Sequence, residues 1–125
     1  MLIDTDVLIW CLRGNEKALK ALNLLDQRFI SDITRMELII GCKHKTEITL
    51  IKRFLVEGKF RVVPLSVEIS TRATIYLEDW HLSHSIGLPD ALIAATASVL
   101  GQELFTANHK HFRCIPGLQL KRFLP

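Results

Sequence analysis

The sequence predicts a three-layer α/β/α domain on a mostly parallel sheet of about five strands, and three observations carry that prediction. Short apolar runs alternate along the chain with longer segments of helical periodicity. The apolar runs lack polar alternation, as strands covered on both faces do. Alternation of this kind calls for crossover helices packed on the two faces of one sheet. At 125 residues the chain is expected to form one domain over 1–125.

The elements follow in order. Leu2-Ile3 opens as a short buried strand running into Asp4, after which the chain is predicted to turn helical near Val7 to Leu12. Arg13-Gly14-Asn15 is a break. Asn15 can accept from the free N–H groups at the start of a helix predicted from Glu16 to Gln27, with Ala18, Leu22 and Leu25 as its apolar positions. A second strand is predicted at Arg28-Phe29-Ile30-Ser31. A helix then opens at Asp32 and runs to about Lys43. The next runs from Thr46 to about Glu57, with Ile48, Ile51, Phe54 and Leu55 on one face, and Gly58 stops it. Phe60 to Leu65 reads as the third strand, ended by Pro64. A long helix begins at Ser66 or Val67 and reaches Trp80 or slightly beyond, with His81 to Gly87 a loop or frayed end. Leu88-Pro89-Asp90 starts a helix through Leu100. Pro89 lies in its first turn, where the missing N–H has no partner to lose, and Gly101 ends it. Glu103 to Thr106 is the fourth strand and Leu118-Gln119-Leu120 the fifth.

Composition narrows the class. Sixteen basic and 13 acidic residues leave a net charge of +3, too little to hold a phosphate backbone by bulk charge, although local basic patches remain open. The hydrophobic fraction of 49% exceeds what one small core needs, which predicts elements buried on both faces or an oligomer interface. Cys11, Cys42 and Cys114 are odd in number, widely spaced and without a CxxC pair. That argues against a disulfide framework or a zinc site and fits a reducing cytoplasm. Met1-Leu2-Ile3 runs straight into Asp4, unlike a signal peptide, and no apolar run approaches the ~18 residues of a membrane span.

The acids carry the chemistry. In an open parallel sheet, ligands gather outside the carboxyl ends of the strands. The predicted topology brings Asp4, Glu37 and Asp90 to that rim, together with Thr106 and Asn108. Clustered carboxylates repel unless a cation neutralises them. An oxygen-only donor set selects a hard ion, Mg²⁺ or Mn²⁺, and the natural reaction of such a site is phosphodiester hydrolysis. Each acid also has a plainer reading. Asp4 can simply end a strand. Thr34-Arg35-Met36-Glu37 fits a capping box, in which Glu37 would return to the cap N–H. Asp90 suits the positive end of a helix dipole. Asp6 is open between supporting hydrogen bonds, an extra ligand and an N-cap for the helix from Val7. His109 and His111 make too small a set for a metal site by themselves. Lys110 and Arg113 could meet RNA phosphates or belong to a solvated loop.

Four segments, Leu2-Ile3-Asp4-Thr5-Asp6-Val7-Leu8-Ile9, Ser31 through Leu38, Leu88 through Ala97, and Leu104 through Phe112 with Ile115-Pro116-Gly117-Leu118 after it, together resemble the PIN-domain toxins of VapBC systems. The resemblance spans essentially the whole chain. It implies a Rossmann-like, five-stranded parallel sheet and a Mg²⁺- or Mn²⁺-dependent endoribonuclease acting on tRNA or ribosomal RNA. Asp4 and Asp90 would match the metal-binding acids and Glu37 the third acid. The implied partners are a small antitoxin, which places a C-terminal segment in the toxin's groove, and a second copy of the chain. Many members carry a fourth acid just before the Phe of the last segment; here that position is His111. Two rivals remain at this point. A PIN-like module that binds RNA or protein without cutting is favoured by His111. A haloacid-dehalogenase-like phosphatase is loosely suggested by Asp4-Thr5-Asp6, but has no fitting lysine or late acidic pair.

Overall fold

The structure is a computed structural model and describes residues 1–125. Its elements are β1 (Leu2–Ile3), α1 (Thr5–Leu12), α2 (Glu16–Asn23), β2 (Arg28–Ser31), α3 (Asp32–Ile40), α4 (Lys45–Glu57), β3 (Phe60–Val63), α5 (Val67–His84), α6 (Leu88–Leu100), β4 (Leu104–Thr106), α7 (His109–Phe112) and β5 (Leu120–Arg122).

The five strands form one parallel sheet in the order β3-β2-β1-β4-β5. Leu2 of β1 lies opposite Phe29 on one side and Leu104 on the other. The chain builds outward from β1 to β3, then returns across the sheet to set β4 against the free side of β1. The strand order therefore reverses between β1 and β4, and the carboxyl ends of those two strands mark the place where ligands gather in sheets of this kind.

Successive strand residues face opposite ways, so each strand feeds both cores. Leu2 packs with Ile69, Ala73 and Tyr76 of α5 and the alanines of α6, whereas Ile3 packs with Val7 and Leu8 of α1, Leu22 of α2 and Leu55 of α4. Leu104 and Phe105 of β4 divide in the same way. Helices α5 and α6 cover one face; α1, α2 and α4 cover the other. In α6, Ala91 and Ile93 through Ala97 are all buried, as its nearly continuous apolar sequence requires.

Several boundaries differ from the sequence expectation, each for a local reason. Helix α1 starts at Thr5 rather than Val7, because Asp4 itself accepts from the Thr5 N–H. Asn15 caps α2 as predicted, accepting from Ala18 N at 2.9 Å, but the helix ends at Asn23 and residues 24–27 lead into β2. Helix α3 ends at Ile40, short of Lys43. Helix α5 continues through His84, with the Trp80 ring edge-on to the His84 ring, and ends at Ser85 in the left-handed region. Strand β5 lies two residues later than expected: after the turn at Gly117, Leu118 packs on the core before pairing with β4 begins at Leu120. Gly58 does follow α4, but the left-handed residue there is Lys59. A Cβ at Gly58 would lie 2.8 Å from Phe60 Cδ2 and 2.9 Å from Phe54 O, so the close approach of Phe60 is what requires glycine.

Candidate active site

Asp4 sits where β1 gives way to α1 and is 5% exposed. Oδ1 accepts from the Thr5 N–H at 2.8 Å, and Oδ2 accepts from the Thr106 hydroxyl at 2.7 Å. Thr106 ends β4, so this bond joins the carboxyl ends of β1 and β4 at the reversal of strand order. Asp6, in the first turn of α1, accepts through Oδ2 from Ala107 N at 3.1 Å and from Asn108 Nδ2 at 2.9 Å. Its other oxygen is buried with no partner. The Asn108 N–H in turn donates to Thr106 Oγ1 at 3.0 Å. Asp6 therefore ties the loop after β4 to α1, and Asp4 holds the N-cap position that the sequence left open for Asp6.

Asp90, the third residue of α6, is partly exposed and pairs with His111 of α7, Nδ1 to Oδ2 at 3.5 Å. Helix α7 is held in place by Phe112, which is fully buried next to His111.

Glu37 reaches the site by another route. It lies in the second turn of α3, whose N-cap is Ser31, accepting from Ile33 N at 3.2 Å. Thr34 is the third residue of that helix and wholly buried, so the capping-box reading of Thr34 and Glu37 does not hold. The Thr5 hydroxyl lies 2.8 Å from Glu37 Oε1 and 2.9 Å from Thr34 Oγ1. A hydroxyl has one proton; given to the carboxylate, it leaves Thr5 to accept from Thr34. Glu37 is thus aimed by the residue that follows Asp4.

The electrostatics of the rim are unrelieved. Burial pushes the Asp4 carboxyl well above its ordinary value of 3.8, and the charges of Asp6 and Asp90 push the same way against the hydrogen bonds from Thr106 and Thr5. Burial also raises Asp6, opposed by the Ala107 N–H, and raises Asp90, opposed by His111. The ion pairs of the chain are Arg35 with Asp32 and His111 with Asp90, so no basic side chain pairs with Asp4 or Asp6.

No group of three or more Asp, Glu, His or Cys side chains stands close enough together to hold a metal ion, so the structure does not gather Asp4, Glu37 and Asp90 around one point. The donor set, acid oxygens without a cationic partner and one of them orphaned in the interior, fits a hard divalent ion.

Sequence reasoning had named Asp4, Asp6, Thr106 and Asn108, and the structure joins these four in one hydrogen-bonded cluster. It places Asp90 with His111, and Glu37 with Thr5. Lys110 and Arg113 are exposed on and just after α7, and neither forms an ion pair. The residues missed were Thr5 and Thr34. Their signal was a threonine next to Asp4 and another one helical turn before Glu37, since a buried hydroxyl needs a partner.

A buried acid at the strand-order reversal of a parallel sheet, with further acids delivered by α3 and α6, defines a class, and residues 1–117 match the PIN domain family. The chain belongs to that family. Within it, the chain is 35% identical to a protein of Rickettsia felis named Ribonuclease VapC1, over 96% of this chain and 93% of the relative. It is 39% identical to Ribonuclease VapC10 of Mycobacterium tuberculosis, over 90% and 85% respectively. Among solved structures, a toxin–antitoxin complex from Klebsiella pneumoniae superposes with a TM-score of 0.77 at 34% identity, covering 94% of this chain and 93% of that one. VapBC2 from Rickettsia felis, bound to a DNA fragment, superposes with a TM-score of 0.84 at 22% identity over 98% of both chains, a likeness of fold. No helix is long and apolar enough to cross a membrane.

Proposed function

We propose that this chain is a Mg²⁺- or Mn²⁺-dependent endoribonuclease, the toxin of a toxin–antitoxin pair in the cytoplasm. The observation that carries the reading is Asp4: a carboxylate 5% exposed, without a basic partner, flanked by the charges of Asp6 and Asp90. Relatives named Ribonuclease VapC supply the substrate class.

In this reading Asp4 and Asp90 hold the ion, with Glu37 the third acid of the site. A divalent ion bound there offsets negative charge at the reacting phosphate and makes an attacking water more acidic. The chain does the rest. Thr106 and the Thr5 N–H fix the Asp4 oxygens. Thr5 orients Glu37, which can then take a proton at the oxygen its hydrogen bond leaves free. Asp6, through Asn108, holds the loop leading into α7. Lys110 and Arg113 on that side contact phosphates of the RNA, drawn from the tRNA or ribosomal class.

The antitoxin has a seat. A groove of about 490 Å³ between α3, α4 and β3 is lined by Met36, Ile39, Ile51, Leu55, Val56 and Phe60, with Arg35 and Lys52 at its rim. An apolar segment carrying acidic residues fits both its lining and its rim. Exposed Val67, Ile75 and Leu82 on α5 offer apolar surface for a second copy of the chain.

The test is cleavage of total tRNA and ribosomal RNA by the antitoxin-free chain. Cutting in Mg²⁺ or Mn²⁺, abolished by EDTA and by Asp4→Asn, is the expected result. A wild-type chain that binds RNA without cutting it in either metal would instead support the non-catalytic reading, which the histidine at position 111 favours. A phosphoenzyme trapped on Asp4 would support the phosphatase.

A further inference from the structure

We propose that the outer edge of β5, with the groove between it and α2, is a docking site for an extended segment of a partner protein in which apolar and acidic residues alternate. The site lies on the opposite edge of the sheet from the groove beside β3, and the inference does not depend on the nuclease reading.

The backbone carries it first. β5 is the last strand of the sheet and pairs with β4 alone. The Leu104 N–H donates to Gln119 O at 2.9 Å and the Phe123 N–H donates to Thr106 O at 2.8 Å, so residues 119, 121 and 123 bond toward β4. The N–H and C=O groups of Leu120 and Arg122 therefore point away from the sheet. No turn or loop of the chain covers them with a backbone bond. An edge of this kind accepts an added strand, whose main-chain bonds supply affinity while neighbouring pockets supply specificity.

The side chains beside the edge choose the strand. A groove of about 340 Å³ lies between α2 and β5, with Leu24, Leu25, Phe123 and Leu124 among its walls. Leu24 is 83% exposed and Leu124 62%, so apolar surface is left open there. Lys17, Lys121 and Arg122 line the same groove, and no acid does. All three are exposed and none forms an ion pair. Lys121 Nζ lies 5.6 Å from the centre of the Phe105 ring, a contact that keeps its charge beside the groove.

These features decide between occupants. A second copy pairing edge to edge would set Lys121 and Arg122 against the same basic pair, and like charges directly opposite destabilise a sheet. A phosphate backbone would use the charges and leave the leucine walls bare. An acidic and apolar strand uses the charges, the walls and the outward backbone groups together.

The probe is a synthetic peptide of about six residues, the usual length of a strand, alternating valine and glutamate. Amide hydrogen exchange of the full-length chain is followed by nuclear magnetic resonance. Without peptide the Leu120 and Arg122 amides should exchange fast. Peptide at about ten times its Kd should slow both about tenfold, the factor by which it depletes the free edge. Lys17→Glu combined with Lys121→Glu should weaken binding at least about tenfold, because the groove then repels the acids. A peptide with lysine in place of glutamate should not bind. Arg122→Pro removes an outward N–H at an edge position where proline is tolerated, and should weaken binding beyond Arg122→Ala, which removes the charge alone. Absence of binding, binding that leaves the two amides fast, or protection of α3 and α4 instead would each overturn the docking site. Protection that appears without peptide as chain concentration rises would assign the edge to a second copy. Protection by an RNA oligonucleotide and not by the peptide would assign it to nucleic acid, and either result overturns the inference.

Discussion

The Thr106 hydroxyl donates to Asp4 Oδ2 at 2.7 Å, joining residues 102 positions apart at the ends of the two strands where the strand order reverses. One bond thus orients the most buried acid of the site and closes the seam between β1 and β4. Thr106→Val keeps the shape and removes the donor, and also deprives the Asn108 N–H of its acceptor. A hydrogen bond to a charged group is worth about 1.5–3 kcal/mol, so urea denaturation at pH 7 should show a loss of that order. An unchanged midpoint would mean that the bond does not hold the seam.

Asp4→Asn should abolish RNA cleavage yet stabilise the metal-free chain. The sign follows from the raised carboxyls. Asp4, Asp6 and Asp90 all have folded values above 3.8, so between that pH and their raised values the folded chain binds more protons than the unfolded one. Stability in EDTA therefore falls as pH rises through this window. For a chain of this length each kcal/mol moves Tm by about 4 °C. Thermal melts in EDTA should show wild-type Tm declining as pH rises above 3.8 through the raised values, and a flatter, higher curve for Asp4→Asn, while Mg²⁺ narrows the gap at pH 8. A variant less stable than wild type in EDTA at pH 8 contradicts the repulsion.

Glu37→Gln tests the third acid without disturbing a cap. Because Ser31 caps α3, the substitution removes no capping bond, and the amide oxygen can still accept from Thr5. Stability should change by no more than about 0.5 kcal/mol, as for a substitution that removes no buried partner. If Glu37 moves a proton in the reaction, kcat/KM should drop about 10²–10⁴-fold. Full activity in Glu37→Gln would remove this residue from the site.

The sheet was legible because a parallel sheet covered on both faces writes itself as apolar runs, and Leu2-Ile3, Phe29-Ile30 and Leu104-Phe105 are such runs. The placement of Asp4 followed from strand direction alone. What the sequence hid was pairwise. Thr34 and Glu37 have the spacing of a capping box, yet the helix starts at Asp32 as expected, with Ser31 as its cap and Thr34 inside it. Asp6 and Asn108 meet only because β1 and β4 are neighbours, which element order does not reveal. Strand β5 was misplaced because Leu118 is apolar for packing, whereas Lys121 and Arg122 pair at an exposed edge with little hydrophobic signal.

Lys110 and Arg113 are expected to bind the RNA backbone without reading its sequence. Both are exposed, flank His111 in the chain and are engaged in no ion pair, so their charge is available to phosphate. Each contact of this kind releases counterions, and removing one charge should lower the slope of log affinity against log salt by about 0.7–1. The measurement uses the Asp4→Asn background, where cleavage does not consume the ligand. Lys110→Ala and Arg113→Ala should each weaken binding by a similar factor for unrelated RNAs and flatten the salt dependence. Discrimination between RNAs that changes while the slope stays fixed would mean that these side chains read bases, and would move the specificity of the site onto α7.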